Sequence, residues 1–118
     1  MAQKYIVDDI VMYKNKIHTI IDTLGLNNYE LSYVRHSVNQ AELSGVPLTQ
    51  EILEKNGWNK GQIYFTHSRI PRIKLCTDES ESKWSVSING DIMGGYICYV
   101  HDLQHILFAF KINSEMEV

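Results

Sequence analysis

The chain has 118 residues, 44% of them apolar and 21% charged, a size and composition suited to one compact domain, 1–118, with its own core. This argues against disorder beyond the ends and one loop; the two cysteines, Cys76 and Cys98, leave a single disulfide open but nothing calls for it. A formal charge of −3, from 11 Lys and Arg against 14 Asp and Glu, excludes a general attraction for nucleic acid or anionic lipid.

The opening stretch "MAQKYIVDDIVMYKNK" carries charges inside any apolar run, so it does not read as a signal peptide. Within it Ile10 and Met12 fall on one face of a strand and Val11 and Tyr13 on the other. Lys14-Asn15 or Asn15-Lys16 then turns the chain into a β-rich run, Ile17 to Ile21. The hairpin resembles the first hairpin of SH3-like barrels. Residues 29–43, "YELSYVRHSVNQAEL", fit both a strand alternation and a helical stripe. Their tyrosines and valines favour strands, with a turn near Ser37 to Asn39.

"VPLTQEILEKNGW" predicts a short helix at about 50–56. Thr49 is a good N-cap, Leu48 and Leu53 occupy the positions of a hydrophobic staple, and Gly57 suits the left-handed residue after the helix. Strand-like pieces follow: "QIYFT", then "RIPRIKLC", in which Pro71 implies an edge or a bulge. "DESES", 78–82, reads as an exposed acidic loop, and "KWSVSIN" as an alternating strand ending in the turn pair Asn89-Gly90. In the last helix Val100, Leu103, Ile106, Leu107 and Phe110 recur at spacings of three and four, a ridge that must face a core or a partner. The expected fold is therefore a small α+β domain, antiparallel and β-rich, with SH3-like hairpins, a short central helix and a C-terminal helix.

Four places have residue types that carry chemistry. His101 and His105, four apart on the last helix, are spaced to chelate one zinc ion, but no second ligand pair matches them. The alternative is a structural pair on the margin of the ridge. Cys98 with His101 as nucleophile and base lacks any family nucleophile signature, and a thiol in "GYICYV" reads as a small buried hydrophobe. "GDIMGGY", 90–96, has glycines that would let amides approach a phosphate, yet it is neither a P-loop nor a dinucleotide fingerprint. "HSRIPRIK", 67–74, puts Arg69, Arg72 and Lys74 near Tyr64, Phe65 and His67. Cations beside aromatics suit a phosphate and a stacked base; the alternative is an edge strand protected by charge and Pro71.

Two spaced motifs carry a resemblance. Pro47, Leu48, Thr49, Ile52, Leu53, Asn56, Gly57 and Trp58, then Tyr99, His101, Leu103 and Gln104, resemble a family of small proteins from phages, prophages and mobile elements of gut bacteria. Residues 24–44 match it poorly. The resemblance implies an origin and no chemistry. Members tend to carry asparagine where this chain has His105, which speaks against a metal pair.

The combined expectation is a non-enzymatic binding protein without cofactor or metal, in the cytoplasm of a bacterial host cell, with no membrane partner and no nucleic-acid partner. It acts by contact with a host or phage protein as a homo-oligomer, with His101, Leu103, Ile106, Leu107 and Phe110 as the candidate interaction helix. The alternative is a counter-defence protein that sequesters a small nucleotide signal through Tyr64, His67, Arg69, Arg72 and Lys74.

Overall fold

A computed structural model of the protein describes residues 4–25, 27–77, 82–93 and 95–118. The chain forms two compact units, each with its own antiparallel sheet and, among the described residues, one α-helix, an α+β fold rich in antiparallel strands. Among the described residues no helix is long and apolar enough to cross a membrane.

The first unit comprises 1–46 and 99–116. Its β1 (Ile10–Tyr13) and β2 (Lys16–Thr23) form the expected hairpin, Tyr13 facing Lys16. Lys14 and Asn15 both have positive φ, 48° and 63°, the requirement of a tight two-residue turn whose twist matches the strands. β3 (Asn28–Leu31) pairs with β2, and β4 (Val38–Asn39) folds back onto Asn28 and Tyr29.

The expected turn at 37–39 is therefore displaced: 32–37 form the connection, and Asn39 is inside the sheet. Asn39 is held there as cap of a 3-10 helix, Gln40–Glu42, its side chain accepting from the Ala41 N–H at 2.9 Å. β5 (Ser44–Gly45) returns to pair with β1, giving the order β4-β3-β2-β1-β5. Tyr5, Val11, Tyr13, Ile20, Tyr29, Leu31, Val38 and Leu43 form one buried cluster. The closing helix, which we label α2 (Val100–Ala109), belongs to this unit.

The second unit, 47–98 with 117–118, begins with α1 (Gln50–Lys55). The Thr49 hydroxyl accepts from the Ile52 N–H at 3.2 Å, Leu48 and Leu53 are buried, and Gly57 has φ 88°, as the sequence implies. A meander follows: β6 (Trp58–Lys60), β7 (Phe65–His67), β8 (Ile70–Thr77), β9 (Trp84–Ile88) and β10 (Asp91–Ile92).

One expectation needs correction here: "QIYFT" is strand only from Phe65, because the Gly61 N–H donates to the Tyr64 carbonyl at 2.8 Å and closes a turn. In "RIPRIKLC" the bulge, of the two alternatives, is the one found, since β8 is the middle strand of five. Pro71 fits there because pairing jumps from His67–Ile70 to Thr66–Lys74, so it sits in a bulge without a ladder bond to donate. β9 keeps Trp84 and Val86 buried as expected, but its alternation lapses at the end, where Ser87 is buried and Ile88 only half-buried; Asn89 and Gly90 make the turn into β10 with φ 54° and 89°. The Trp84 indole N–H donates to the Leu48 carbonyl at 2.8 Å, which ties the sheet to the start of α1. The acidic stretch expected at 78–82 lies, but for Ser82, outside the described residues.

Candidate functional site

The chain enters β1 through a turn in which Asp8 has φ 77° and the Asp9 N–H donates to the Ile6 carbonyl at 3.1 Å. The Asp9 carboxylate is buried, 1% exposed. Its Oδ2 accepts from the Ile6 N–H at 3.0 Å and from His105 Nε2 at 2.6 Å. That bond to Asp9, more than its charge, holds the His105 imidazole above its ordinary range, against the opposing effect of burial.

His101 is one turn earlier on α2, 5.6 Å from the His105 ring, and is buried. Its ring stacks on Tyr99, 5.5 Å away and 8° from parallel, and meets the edge of Tyr5 at 5.0 Å. Burial holds this imidazole below its ordinary range, outweighing Asp102 and Asp9. Gly45 is needed at this spot, since a Cβ there would come within 2.5 Å of Tyr99 and 2.9 Å of His101. His101 Nδ1 has no hydrogen-bond partner among the described residues.

The pair does not make a ligand set. Among the described residues no group of three His, Cys, Asp or Glu side chains is placed to hold a metal ion. Cys98 belongs to the second unit and His101 to the first, and the Cys98 carbonyl accepts from the Leu48 N–H at 3.0 Å. Cys76 and Cys98 form no disulfide.

Gln104, on the same helix, is 1% exposed and hydrogen-bonded at both ends of its amide. Its Oε1 accepts from the Ile10 N–H at 2.9 Å, and its Nε2 donates to the carbonyls of Asp8 at 2.9 Å and Ser114 at 3.0 Å. In the sequence Gln104 stands out only as part of a motif. A polar side chain inside an apolar ridge was the available signal.

In the candidate interaction helix His101, Leu103 and Leu107 are buried, and Ile106 and Phe110 are partly accessible.

The basic stretch of the second unit is dispersed. Arg72 and Lys74 alternate outward on β8, and Lys74 Nζ is 5.7 Å from the centre of the Tyr64 ring. His67 is withdrawn from them: its Nε2 donates to the Asn56 carbonyl at 3.1 Å, its Nδ1 accepts from the Arg69 N–H at 3.1 Å, and its ring packs on Trp58. In "GDIMGGY" the Met93 N–H is taken by the Val86 carbonyl at 2.8 Å, and Gly94 is outside the described residues.

Two surface clefts stand apart from all of these. One, about 500 Å³, lies in the second unit and is lined by Cys76, Thr77, Lys83, Ser85 and Tyr96, with Lys83 Nζ 5.7 Å from the Tyr96 ring. The other, about 330 Å³, lies in the first unit, between the β1–β2 turn and the β3–β4 connection. Lys14, Lys16 and Arg35 line it, with Tyr13, Tyr33, Val34, His18 and His36, and none of its described lining residues is acidic. Tyr64, His67, Arg69, Arg72 and Lys74 line neither cleft. The sequence hides the second site because Lys14 and Arg35 come together only through the pairing of β1, β2 and β3.

Comparison with protein-family models, with curated proteins and with solved structures finds no match, so the family resemblance rests on the two motifs alone.

Proposed function

We propose that this chain is a non-enzymatic binding protein of a phage or mobile element, acting by contact inside a bacterial host cell. One observation supports it above the others: the residues that most resemble a reactive site, Asp9, His101 and His105, are tied up in holding the chain. Asp9 bonds its own turn and α2 together, and His101 is buried among aromatic rings.

For contact with a host or phage protein, or with a second copy of the chain, the outward face of β2 is suitable. Ile17 and Ile21 are 47% and 50% exposed there, two apolar side chains of one strand, the second at the bulge where pairing with β3 shifts between Ile20 and Asp22. Light scattering coupled to size exclusion tests this, using the wild-type chain and Ile17→Asp with Ile21→Asp. A homo-oligomer that the double substitution dissociates supports the reading; a strict monomer at high concentration counts against it.

A second reading is favoured by the cation-lined cleft of the first unit: capture of a small phosphorylated ligand. Thermal-shift screening against nucleotides tests it, and no stabilisation by any of them would end it.

A further inference from the structure

We infer that the cleft between the β1–β2 turn and the β3–β4 connection is a nucleotide site, with Lys14, Lys16 and Arg35 on the phosphates and Tyr33 stacked on the base. The inference rests on the second reading above and gives it a place and a ligand class.

Charge is the first argument. The chain is acidic overall, yet three of its 11 Lys and Arg converge here, with no acidic residue among the described lining. Three like charges in one concavity repel one another. An anion relieves that repulsion. Arg35 offers a planar fork to a phosphate, and the two lysines offer mobile point charges.

Tyr33 is the second argument. Its side chain is 100% exposed, so it contributes nothing to the core. Its backbone nevertheless has φ 61°, in a turn closed by the Val34 N–H to Leu31 carbonyl bond at 3.3 Å. Glycine or asparagine fills that turn position without penalty. A bulky side chain in the left-handed region costs about 1–2 kcal/mol per residue. An aromatic ring that costs stability and gains no packing is explained by what it meets from solvent.

The remaining wall is fixed. Tyr13 is buried, with Lys14 Nζ 5.3 Å from its ring and the His18 and His36 rings at 5.9 and 6.5 Å. His18 is anchored by Nδ1 donating to the Ser32 carbonyl at 2.8 Å. The open concavity, about 330 Å³, has room for a small ligand.

Isothermal titration of the full chain with ADP, GDP, UDP, adenosine and pyrophosphate tests the assignment. At least one nucleoside diphosphate is expected to bind, more tightly than pyrophosphate or adenosine. Lys14→Ala and Arg35→Ala should each weaken that diphosphate about tenfold, the loss of one charged contact. Tyr33→Ala should weaken it about tenfold while leaving pyrophosphate unchanged, since only the base stacks. All three positions are exposed, so these variants keep the fold.

Binding that ignores these substitutions and vanishes in Arg72→Ala with Lys74→Ala would overturn the site and keep the nucleotide reading. Absence of binding by all five probes at millimolar concentration would overturn both. Binding of a single-stranded thymidine decamer without any diphosphate would overturn the assignment in favour of nucleic acid.

Discussion

His105 Nε2 and Asp9 Oδ2 are 2.6 Å apart across 96 residues of sequence, and this bond joins the closing helix to the turn that starts the first strand. The same oxygen accepts from the Ile6 N–H, so the carboxylate completes the turn as well as the helix contact. Asp9→Ala leaves a buried N–H and an imidazole without their acceptor. The expected loss is about 3 kcal/mol of unfolding free energy. Urea denaturation measures it, and a variant within about 0.5 kcal/mol of wild type would refute the role, that being the scatter of ordinary surface changes.

The two imidazoles should give stability opposite pH limbs. His105 has a raised folded pKa, so its contribution is full below 6.5 and fades as pH climbs through the folded value. His101 has a lowered folded pKa, so its contribution is full above 6.5 and fades as pH falls. Lys4, Asp9, Asp102 and Tyr5 are the charged or titratable neighbours that modulate them. Proton NMR of the ring resonances should place one midpoint above 6.5 and the other below it. His105→Asn should remove the alkaline limb. Two midpoints at the ordinary value would contradict the geometry.

Gln104→Leu keeps the side-chain size and apolar burial but deletes all three hydrogen bonds, stranding the Ile10 N–H and the Asp8 and Ser114 carbonyls. A loss of about 2–4 kcal/mol follows, because unsatisfied buried groups cost about 1–3 kcal/mol each and some will relax toward water. Chemical denaturation checks it. A neutral Gln104→Leu would mean that the amide does not clamp the helix.

Tyr33→Gly should stabilise the protein. Release of the left-handed backbone strain outweighs the added entropy of a glycine in the unfolded chain, leaving a gain of about 1 kcal/mol at most. Nucleotide binding should fall in the same variant. Denaturation midpoint and titration together check this, and a destabilised variant would show that the ring supports the fold.

Much of the fold was legible because its signals are local. The Lys14-Asn15 turn, the Thr49 cap, Gly57 and the Asn89-Gly90 turn each act over a few residues, and each is where its chemistry requires. The turn after β3 was misplaced because Asn39 resembles a turn residue but works as a cap inside a strand. Pro71 implied an edge or a bulge, and only pairing with both neighbouring strands selects the bulge.

The site was less legible. An apolar stripe does not say whether it faces a core or a partner, so Leu103 and Leu107 were equally suited to either. Asp9 and His105, or Lys14 and Arg35, are too far apart in sequence for spacing to pair them. Tyr33 carried no sequence signal, since a positive φ at a tyrosine is visible only in the backbone.

The most direct test of an account in which the chain binds through its first hairpin and holds itself together with its histidines is amide and ring-proton NMR during addition of ADP, GDP and UDP in turn, read on whichever of them binds. The account expects shifts confined to Lys14, Lys16, His18, Tyr33, Arg35 and His36, with His101 and His105 unmoved. Shifts centred on the His101 and His105 rings, or on Arg72 and Lys74, would contradict it.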